Sequence, residues 1–338
     1  MDQRPSDPDL SRRLGSLIFA TVVAKSIYVA AKLRIADRLL DGLRPVEELA
    51  RETDTDPDAL CRVLRALAAE GLFDEAEPRM FAVTELGRLL AEETPGSRRA
   101  DALMFGEQVD PVLAQLLESV QTGEPAGPRV FGKHYFDWLA ENPEAAENFN
   151  TAMAVGGTAR LPALLSLDVW QRAEQVVDVG GGNGSVLTAL LPDHPALRGV
   201  VFDLPHVEAE AKATIAAAGL SDRCKFVGGS FFDSVPKGAD VYLLLQILHD
   251  WNDADATHIL HTCREAIRDD GRIVVVEHFI ADERTRSDAA WLDVLMLVLV
   301  GGKERTEPEW RALFAAGGFE LERITPGERA AAIEARPV

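Results

Sequence analysis

Glycines follow one short apolar run in the second half of the chain. Residues 176–179 are Val-Val-Asp-Val, and Gly180, Gly182 and Gly184 come directly after them, ahead of a helical stretch that begins at Ser185. Glycines at the carboxyl end of a strand let a ligand approach the backbone closely, and the following helix presents free N–H groups. The pattern predicts a nucleotide-like ligand at the end of a first strand.

The spacing of these glycines favours an adenosyl ligand over a dinucleotide. A dinucleotide fingerprint GxGxxG that begins at Gly180 needs glycine at position 185, where the chain has Ser185. Asp203 ends the next apolar run, 19 residues beyond Gly184, where a carboxylate can accept hydrogen bonds from both hydroxyls of a ribose. A helix cap is the alternative role for an aspartate at that position.

A histidine, a carboxylate and an indole follow a later apolar run. His249, Asp250 and Trp251 come shortly after residues 241–245, where open α/β sheets bind substrate. Imidazole is the side chain best suited to move protons near neutral pH, so His249 is a candidate general base. A purely structural histidine is the alternative.

Two carboxylates could fix the tautomer of this imidazole. Glu277 ends residues 273–277, and Glu304 lies in the segment GGKERT, residues 301–306. A carboxylate that accepts a hydrogen bond from one ring nitrogen leaves the other nitrogen free to act. Spacing does not decide between the two.

Metal and disulfide chemistry are not expected from this sequence. Cys61, Cys224 and Cys263 are too few and too scattered for a disulfide framework or a CxxC zinc site. His258 and His261 share a helix face at i and i+3, but we do not expect this pair to hold a metal ion.

Apolar runs bounded by turn residues alternate with helical stretches in the second half of the chain. The runs are residues 176–179, 200–202, 224–227, 241–245 and 273–277. This alternation predicts βαβ units and hence the α/β class, a doubly wound, Rossmann-like parallel sheet with helices on both faces. The candidate residues would then lie at one edge of that sheet.

Residues 45–92 have the order of a winged helix, with short helices, a hairpin and a further helix. A transcription factor is an alternative, but 12 acidic and 5 basic side chains give this segment a net charge of −7. The helix that would enter DNA carries only Arg62 and Arg65 against Asp58 and Glu70. A dimerisation scaffold is the better interpretation.

The whole chain is acidic, with 35 basic and 55 acidic residues among 338. This charge repels phosphate backbones and anionic lipid, so neither nucleic acid nor a membrane is expected as a partner. Arg12 and Arg13 precede an apolar run, residues 14–24, but Lys25 and Lys32 interrupt it, and it is too short for a span of about 17 to 25 residues. We expect an interface helix in a cytoplasmic protein.

These segments together resemble S-adenosylmethionine-dependent O-methyltransferases, the class of the plant caffeate and hydroxyindole enzymes and of bacterial natural-product enzymes. The matching segments occur in order along the chain: VVDVGGGNGS (176–185), FDLPHV (202–207), VGGSFFDSVP (227–236), ILHDWND (247–253), GRIVVVE (271–277) and GGKERT (301–306). The resemblance implies a homodimer and a reaction without metal. It also implies three segments: a winged-helix-like dimerisation domain (1–100), a helical connector that contributes to the active site (101–165) and the cofactor-binding methyltransferase domain (166–338).

The resemblance implies S-adenosyl-L-methionine as the cofactor and assigns residues to it. Gly180 and its neighbours hold the methionine end, Asp203 the ribose, Phe231 packs against adenine and Met153 lies near the sulfonium. The expected cofactor-binding residues are Asp178, Gly180, Gly182, Asp203, Leu204, Ser230, Phe231 and Met153. Many relatives have aspartate at the position of Ser230 and a lysine, arginine or other polar residue at that of Leu245 or Gln246, which leaves the adenine contacts less defined than those to ribose. An aromatic residue is common in relatives at the position of Gly127, which leaves the pocket wall undefined.

By the same resemblance, His249 corresponds to the catalytic base, with Glu277 and Glu304 as its supporting carboxylates. The expected substrate-binding residues are Asp250, Asp293 and Met296. The implied reaction is methyl transfer to a phenolic hydroxyl of a small aromatic metabolite. Alternatives are non-methylating chemistry with the same cofactor (hydroxylation, decarboxylation or cyclisation) and, in another class, an acidic winged-helix binding protein.

Overall fold

The computed structural model describes residues 8–158, 161–280, 288–327 and 330–338. The described chain forms two units. The first ends at Asp110 and also contains Glu147–Val155, and the second contains Pro111–Ala146 and the chain from residue 156 onward. The finer division into three segments stays a prediction.

The elements up to residue 113 are mostly helical. They are α1 (Pro8–Lys32), α2 (Ile35–Arg38), β1 (Arg44–Pro45), α3 (Val46–Thr53), α4 (Pro57–Ala69), β2 (Phe73–Glu77), β3 (Met80–Val83), α5 (Glu85–Arg88), α6 (Arg99–Met104), a π-helix (Phe105–Val109) and α7 (Asp110–Leu113). The three strands form an antiparallel sheet in the order β1-β3-β2. The elements from β1 to α5 have the order predicted for the winged helix of residues 45–92.

Helix α4 shows why the local sequence folds in this way. The Asp56 carboxylate accepts a hydrogen bond from the N–H of Ala59 at 2.8 Å, and Pro57 supplies the first helical residue. Leu60, Leu64 and further apolar residues on the same face are buried in the core of this unit, which fixes the helix by packing.

Helix α1 differs from the sequence-based expectation. It continues through Lys25, whose ammonium forms an ion pair with Asp110, and it ends before Arg34, which has the left-handed φ of 53°. Among the described residues, Asp9–Lys32 is long and apolar enough to cross a membrane by length and composition. The expectation that this segment is too short for a span is therefore wrong, because the two lysines do not interrupt the helix.

The remaining elements alternate between strand and helix from residue 175. They are α8 (Leu116–Thr122), α9 (Gly127–Phe131), α10 (Tyr135–Glu141), α11 (Pro143–Thr158), α12 (Leu161–Leu165), β4 (Gln175–Val179), α13 (Ser185–Leu190), β5 (Arg198–Asp203), α14 (Glu208–Ala217), β6 (Cys224–Gly228), β7 (Val241–Leu245), α15 (Asp253–Ala266), β8 (Arg272–Glu277), β9 (Phe279–Ile280), α16 (Asp288–Leu299), β10 (Arg305–Thr306), α17 (Glu307–Ala316), β11 (Phe319–Pro326) and β12 (Ala331–Pro337). Short 3₁₀ helices lie at Asp168–Gln171, Leu191–Asp193, Pro205–Val207 and Leu248–Asp250.

Seven of these strands form one sheet in the order β11-β12-β8-β7-β4-β5-β6. Strands β4 to β8 are parallel, as the sequence predicted, and apolar clusters cover both faces of the sheet. The doubly wound α/β fold is therefore confirmed. The sequence did not predict the β11–β12 hairpin, in which β12 lies between β8 and β11 and is antiparallel to both.

A second, two-stranded sheet extends the end of β8. Strand β9 pairs with β10 in parallel, with Arg305 opposite Phe279. Glu277 is the last residue of β8 and Glu304 immediately precedes β10. This pairing brings the two candidate carboxylates to the same edge of the main sheet, although they are 27 positions apart in the sequence.

Candidate active site

The glycine segment after β4 adopts backbone conformations that favour glycine. Gly180 and Gly182 have φ values of +73° and +53°. A Cβ at Gly180 would lie 2.3 Å from the side chain of Ile247, and one at Gly181 would lie 2.7 Å from Oδ2 of Asp178. Contacts disfavour side chains at Gly180 and Gly181, and the positive φ disfavours one at Gly182. A ligand can therefore approach the backbone of these three residues closely.

Asp203 at the end of β5 holds this loop. Its Oδ2 accepts a hydrogen bond from the N–H of Gly182 at 2.8 Å, and its Oδ1 accepts one from the N–H of Leu204 at 2.6 Å. Burial raises the pKa of Asp203, and these two N–H groups oppose the rise. Each carboxylate oxygen can accept more than one hydrogen bond, so Asp203 can hold the loop and still accept from ribose hydroxyls.

Asp178 has a carboxylate oxygen without a partner. The residue is 1% exposed, and its Oδ2 makes no hydrogen bond within the described part of the chain. Burial, with a smaller contribution from Asp203, raises the pKa of Asp178 to about 7. A buried, unpaired acceptor beside an open backbone loop fits a ligand that carries a cationic amino group.

Aromatic side chains follow β6 on the same edge. Ser230 accepts a hydrogen bond from the N–H of Phe232 at 3.2 Å, which shapes the turn that carries Phe231. The Phe231 ring meets the Trp251 ring edge to face at 5.9 Å between centroids. Ser230 therefore stabilises the turn that orients the Phe231 ring.

Met153 lies on α11 in the first unit and is 40% exposed. Its cofactor role stays a prediction.

His249 lies in the 3₁₀ turn after β7 and is 6% exposed. Its Nδ1 is 2.6 Å from Oε1 of Glu304, the distance of a strong hydrogen bond. Its Nε2 is 3.5 Å from Oδ1 of Asp250. Nδ1 is thus hydrogen-bonded to Glu304. Nε2 is the ring nitrogen that remains to contact a methyl-accepting substrate.

Glu277 acts mainly on the backbone of the same turn. Its Oε1 accepts from the N–H groups of Ile247 at 3.0 Å, Leu248 at 2.9 Å and His249 at 3.4 Å. Its Oε2 lies 3.6 Å from Nδ1 of His249, longer than a hydrogen bond. The two glutamates therefore differ in function: Glu304 contacts the imidazole and Glu277 holds the turn.

Sequence reasoning gave no role to Gln246, which belongs to this network. Its φ of +57° is rare for a residue with a side chain. The Gln246 Nε2 donates to Oε2 of Glu277 at 3.2 Å, so the strained residue joins the strand end to the glutamate. Sequence alone carries no signal for such a backbone conformation.

The carboxylates around His249 determine its proton affinity. Burial lowers the pKa of His249, but Glu277, Asp250 and Glu304 outweigh it and raise the pKa to about 10. Burial raises the pKa of Asp250 to about 6. The imidazole is therefore a much stronger base than a histidine in water, whose pKa is about 6.5.

His249, Glu277 and Glu304 also form, within the described residues, a group whose ligand atoms lie within 4.8 Å of one another. The Nδ1 to Oε1 distance of 2.6 Å is that of a direct hydrogen bond, and Oε1 of Glu277 already faces three N–H groups. This arrangement favours a hydrogen-bond network over an ion site. A reaction without metal stays a prediction.

All three expected substrate-binding residues have structural contacts, and that of Asp250 is with Nε2 of His249. Asp293 on α16 accepts a hydrogen bond from the N–H of Glu304 at 2.8 Å. Met296 is 6% exposed, and its carbonyl accepts from the N–H groups of Val300 and Gly301 at the end of α16. Asp293 therefore holds Glu304 in place, and the substrate contacts of all three residues stay predictions.

Gly127 has a packing reason for lacking a side chain. A Cβ at this position would lie 2.0 Å from the carbonyl oxygen of Leu299, at the end of α16. The chain could not place an aromatic residue there without moving α9 from α16. The departure from the relatives' pattern is therefore a local packing feature.

Comparison with known proteins places the chain in a family. Residues 113–320 match the model of the O-methyltransferase domain, and residues 16–93 match that of the O-methyltransferase dimerisation domain. The chain belongs to the O-methyltransferase family. It is an S-adenosylmethionine-dependent methyltransferase with an N-terminal dimerisation domain, which confirms the resemblance, the enzyme class and the cofactor predicted from the sequence.

Three relatives show the range of this family. The phenazine O-methyltransferase PhzM of Lysobacter antibioticus is 43% identical over 97% of this chain and 97% of its own. The structure of NcsB1, an O-methyltransferase from neocarzinostatin biosynthesis, in complex with S-adenosylmethionine and 2-hydroxy-5-methyl naphthoic acid has a TM-score of 0.84 and 33% identity, covering 93% of this chain and 96% of that one. The aclacinomycin 10-hydroxylase RdmB of Streptomyces purpurascens is 35% identical over 94% of this chain and 86% of its own.

Proposed function

We propose that this O-methyltransferase transfers a methyl group to a phenolic hydroxyl of a small aromatic, natural-product-like substrate, with His249 as the general base. The observation that carries the proposal is the 2.6 Å hydrogen bond between Nδ1 of His249 and Glu304. It fixes the tautomer with Nε2 toward the acceptor. Relatives that methylate a phenazine and bind a hydroxynaphthoic acid support an aromatic acceptor.

The raised proton affinity of His249 fits deprotonation of a phenol. A phenol near pKa 10 gives its proton to an ordinary histidine only against a gap of about 3.5 pKa units, or roughly 5 kcal/mol. The buried carboxylates raise the pKa of His249 to about 10, which closes this gap for the neutral imidazole. Below that pH the ring of the free enzyme holds a second proton and must lose it before it acts as a base. A proton leaving the phenolic oxygen would move to Nε2, while Glu304 stabilises the imidazolium through Nδ1.

The residues around the glycine loop fit the cofactor. Asp178 offers an unpaired carboxylate oxygen for the amino group of the methionine end, and Asp203 offers acceptors for the ribose hydroxyls. The open backbone at Gly180 and Gly182 admits the ligand, and Phe231 offers a ring for adenine. The sulfonium of the bound cofactor supplies an electrophilic methyl group, so this chain's tasks are in-line placement and removal of the acceptor proton.

Non-methylating chemistry is the second candidate. It is favoured by one observation, the 35% identity to the aclacinomycin 10-hydroxylase RdmB. The His249–Glu304 hydrogen bond supports methyl transfer instead, because a strong base has a use when an acceptor hydroxyl must lose a proton.

We also propose that the chain acts as a cytoplasmic homodimer without nucleic acid or membrane partners. The matched dimerisation domain begins at residue 16 and includes most of α1. Leu14, Leu17, Ile18 and Phe19 on this helix are each more than half exposed in one chain. A second subunit that covers this surface removes the apolar area from water.

The direct test is incubation of the pure protein with labelled S-adenosylmethionine and a panel of phenols. We expect mass spectrometry to detect the gain of one CH₂ unit in an aromatic acceptor, and a His249→Ala variant to lose most of this product. Cofactor binding without methyl transfer to any phenol, together with an oxidised or decarboxylated product, would support the second candidate.

A further inference from the structure

Arg305 is a buried cation for which the proposed chemistry gives no role. Its side chain is 0% exposed, and it immediately follows Glu304, the partner of His249. Burying a guanidinium is unfavourable unless its donors are paired. Its partners therefore show what the residue holds in place.

The Arg305 donors reach both ends of the turn that carries His249. Nη1 donates to the carbonyl of Leu248 at 2.8 Å, and Nη2 donates to the carbonyl of Trp251 at 2.9 Å. Nε donates to Oδ1 of Asp253 at 3.1 Å, which supplies the opposite charge. A single side chain thus holds the carbonyls on either side of the His249–Asp250 pair.

The segment before Arg305 contacts the same turn through its backbone. A Cβ at Gly302 would lie 1.9 Å from the carbonyl oxygen of His249, so only glycine permits this approach. The backbone of Arg305 pairs with Phe279, two residues after Glu277. Glu304 lies between these two fixed points, and its position relative to His249 depends on both.

We propose that Arg305 is a positioning residue for the His249–Glu304 pair. Its planar guanidinium holds the turn from residue 248 to 251 against the segment that carries Glu304, and so keeps Nδ1 on the glutamate and Nε2 toward the acceptor. Two of its donors diverge to two carbonyls, a geometry that the point charge of lysine does not reproduce. This inference rests on the proposed function, in which His249 is the base.

The test compares Arg305→Lys with a matched control, Arg311→Lys, at an exposed ion pair with Glu307. Two phenols are used, one ordinary and one acidic enough to be ionised at neutral pH. We expect Arg305→Lys to lose about 10- to 100-fold in kcat on the ordinary phenol, by analogy with the cost of losing a partner that orients a metal-ligating residue. The loss on the acidic phenol should be at least severalfold smaller, because its anion needs no base.

The affinity of Arg305→Lys for S-adenosylhomocysteine should stay within a few fold of the wild type, and the control should match the wild type in every assay. Equal losses on both phenols would overturn the proposal, since they would show a general structural role. Unchanged activity on the ordinary phenol would overturn it as well.

Asp253→Asn provides a second variant that does not remove the buried guanidinium. The Asp253 side chain is 60% exposed, and the amide oxygen of asparagine can still accept a hydrogen bond from Nε of Arg305. We expect a smaller loss than for Arg305→Lys, again confined to the ordinary phenol, and a phenol-independent effect would contradict the proposal. Full activity of His249→Ala on ordinary phenols would instead show that the proposed base itself is wrong.

Discussion

The Nδ1 atom of His249 and the Oε1 atom of Glu304 are 2.6 Å apart, and both side chains are buried. This pair connects the end of β7 with the segment before β10. Because Glu304 accepts a hydrogen bond from Nδ1, its negative charge stabilises the imidazolium and so raises the proton affinity of Nε2.

The pH dependence of the reaction should follow from this pair. Below the raised pKa of His249, about 10, the ring of the free enzyme is an imidazolium and cannot accept a proton. The kcat/KM for an ordinary phenol should therefore rise with pH through the neutral range. A pH–rate profile measures this, and activity that falls from pH 7 to 9 in a stable enzyme would contradict the assignment.

Glu304→Gln should shift that profile to lower pH. The substitution removes a carboxylate whose charge and hydrogen bond both raise the pKa of His249, so the imidazole loses its proton at lower pH. It also becomes a weaker base, and the plateau rate should fall. Glu307→Gln, at an exposed pair with Arg311, is the control and should leave the profile unchanged. A midpoint that moves upward in Glu304→Gln would refute this explanation.

Asp178→Asn should weaken cofactor binding. Above the raised pKa of Asp178, about 7, the substitution removes a charged acceptor that has no partner among the described side chains. A hydrogen bond to a charged group is worth about 1.5 to 3 kcal/mol, roughly 10- to 100-fold in affinity. Calorimetry with S-adenosylhomocysteine measures this change, with Asp193→Asn at an exposed aspartate as the control. An affinity equal to the wild type would show that Asp178 does not contact the ligand.

The same residue should affect the stability of the ligand-free protein. The pKa of Asp178 is raised to about 7 in the folded chain and is about 3.9 in an unfolded chain. The folded state therefore holds the extra proton between these values, and stability falls as pH rises through this window. Thermal unfolding of wild type and Asp178→Asn from pH 4 to 8 should show this additional fall only in the wild type.

The apolar surface of α1 should control assembly. Leu17 and Ile18 are 64% and 66% exposed in one chain, so Leu17→Glu with Ile18→Glu would place charges in a subunit interface and should yield monomers or aggregates. Ala213→Glu on α14, also exposed, is the control and should leave the mass unchanged. Analytical ultracentrifugation measures both, and a double variant that remains a dimer would place the interface elsewhere.

Sequence patterns predicted the elements that carry the site but only part of its contacts. Strands β4 to β8 lie within two residues of the apolar runs, because buried parallel strands have continuous apolar sequences. The β11–β12 hairpin was missed because its buried strand is not an apolar run: Glu334 lies buried in β12 and is paired with Arg323 on β11, a cross-strand contact that the sequence pattern does not contain.

The contacts of His249 depend on long-range pairing that spacing does not contain. Glu304 reaches Nδ1 because β10 pairs with β9 and because Asp293 holds the Glu304 N–H. The sequence made Glu277 an equal candidate for the partner of the imidazole, but its carboxylate accepts hydrogen bonds mainly from the backbone of the turn. Arg305 was inside a recognised segment, but only its burial distinguishes it from an ordinary surface arginine.

The His249→Ala variant tests the central claim most directly. Its kcat on an ordinary phenol should fall by about 10²- to 10⁴-fold, the usual contribution of general acid–base catalysis, while its affinity for S-adenosylhomocysteine stays within a few fold. Adding Glu304→Gln should cost little more, since a carboxylate that acts through the imidazole has nothing to orient once the ring is gone. An acidic phenol should recover part of the lost rate, whereas full activity of His249→Ala on ordinary phenols would show that placement alone drives methyl transfer.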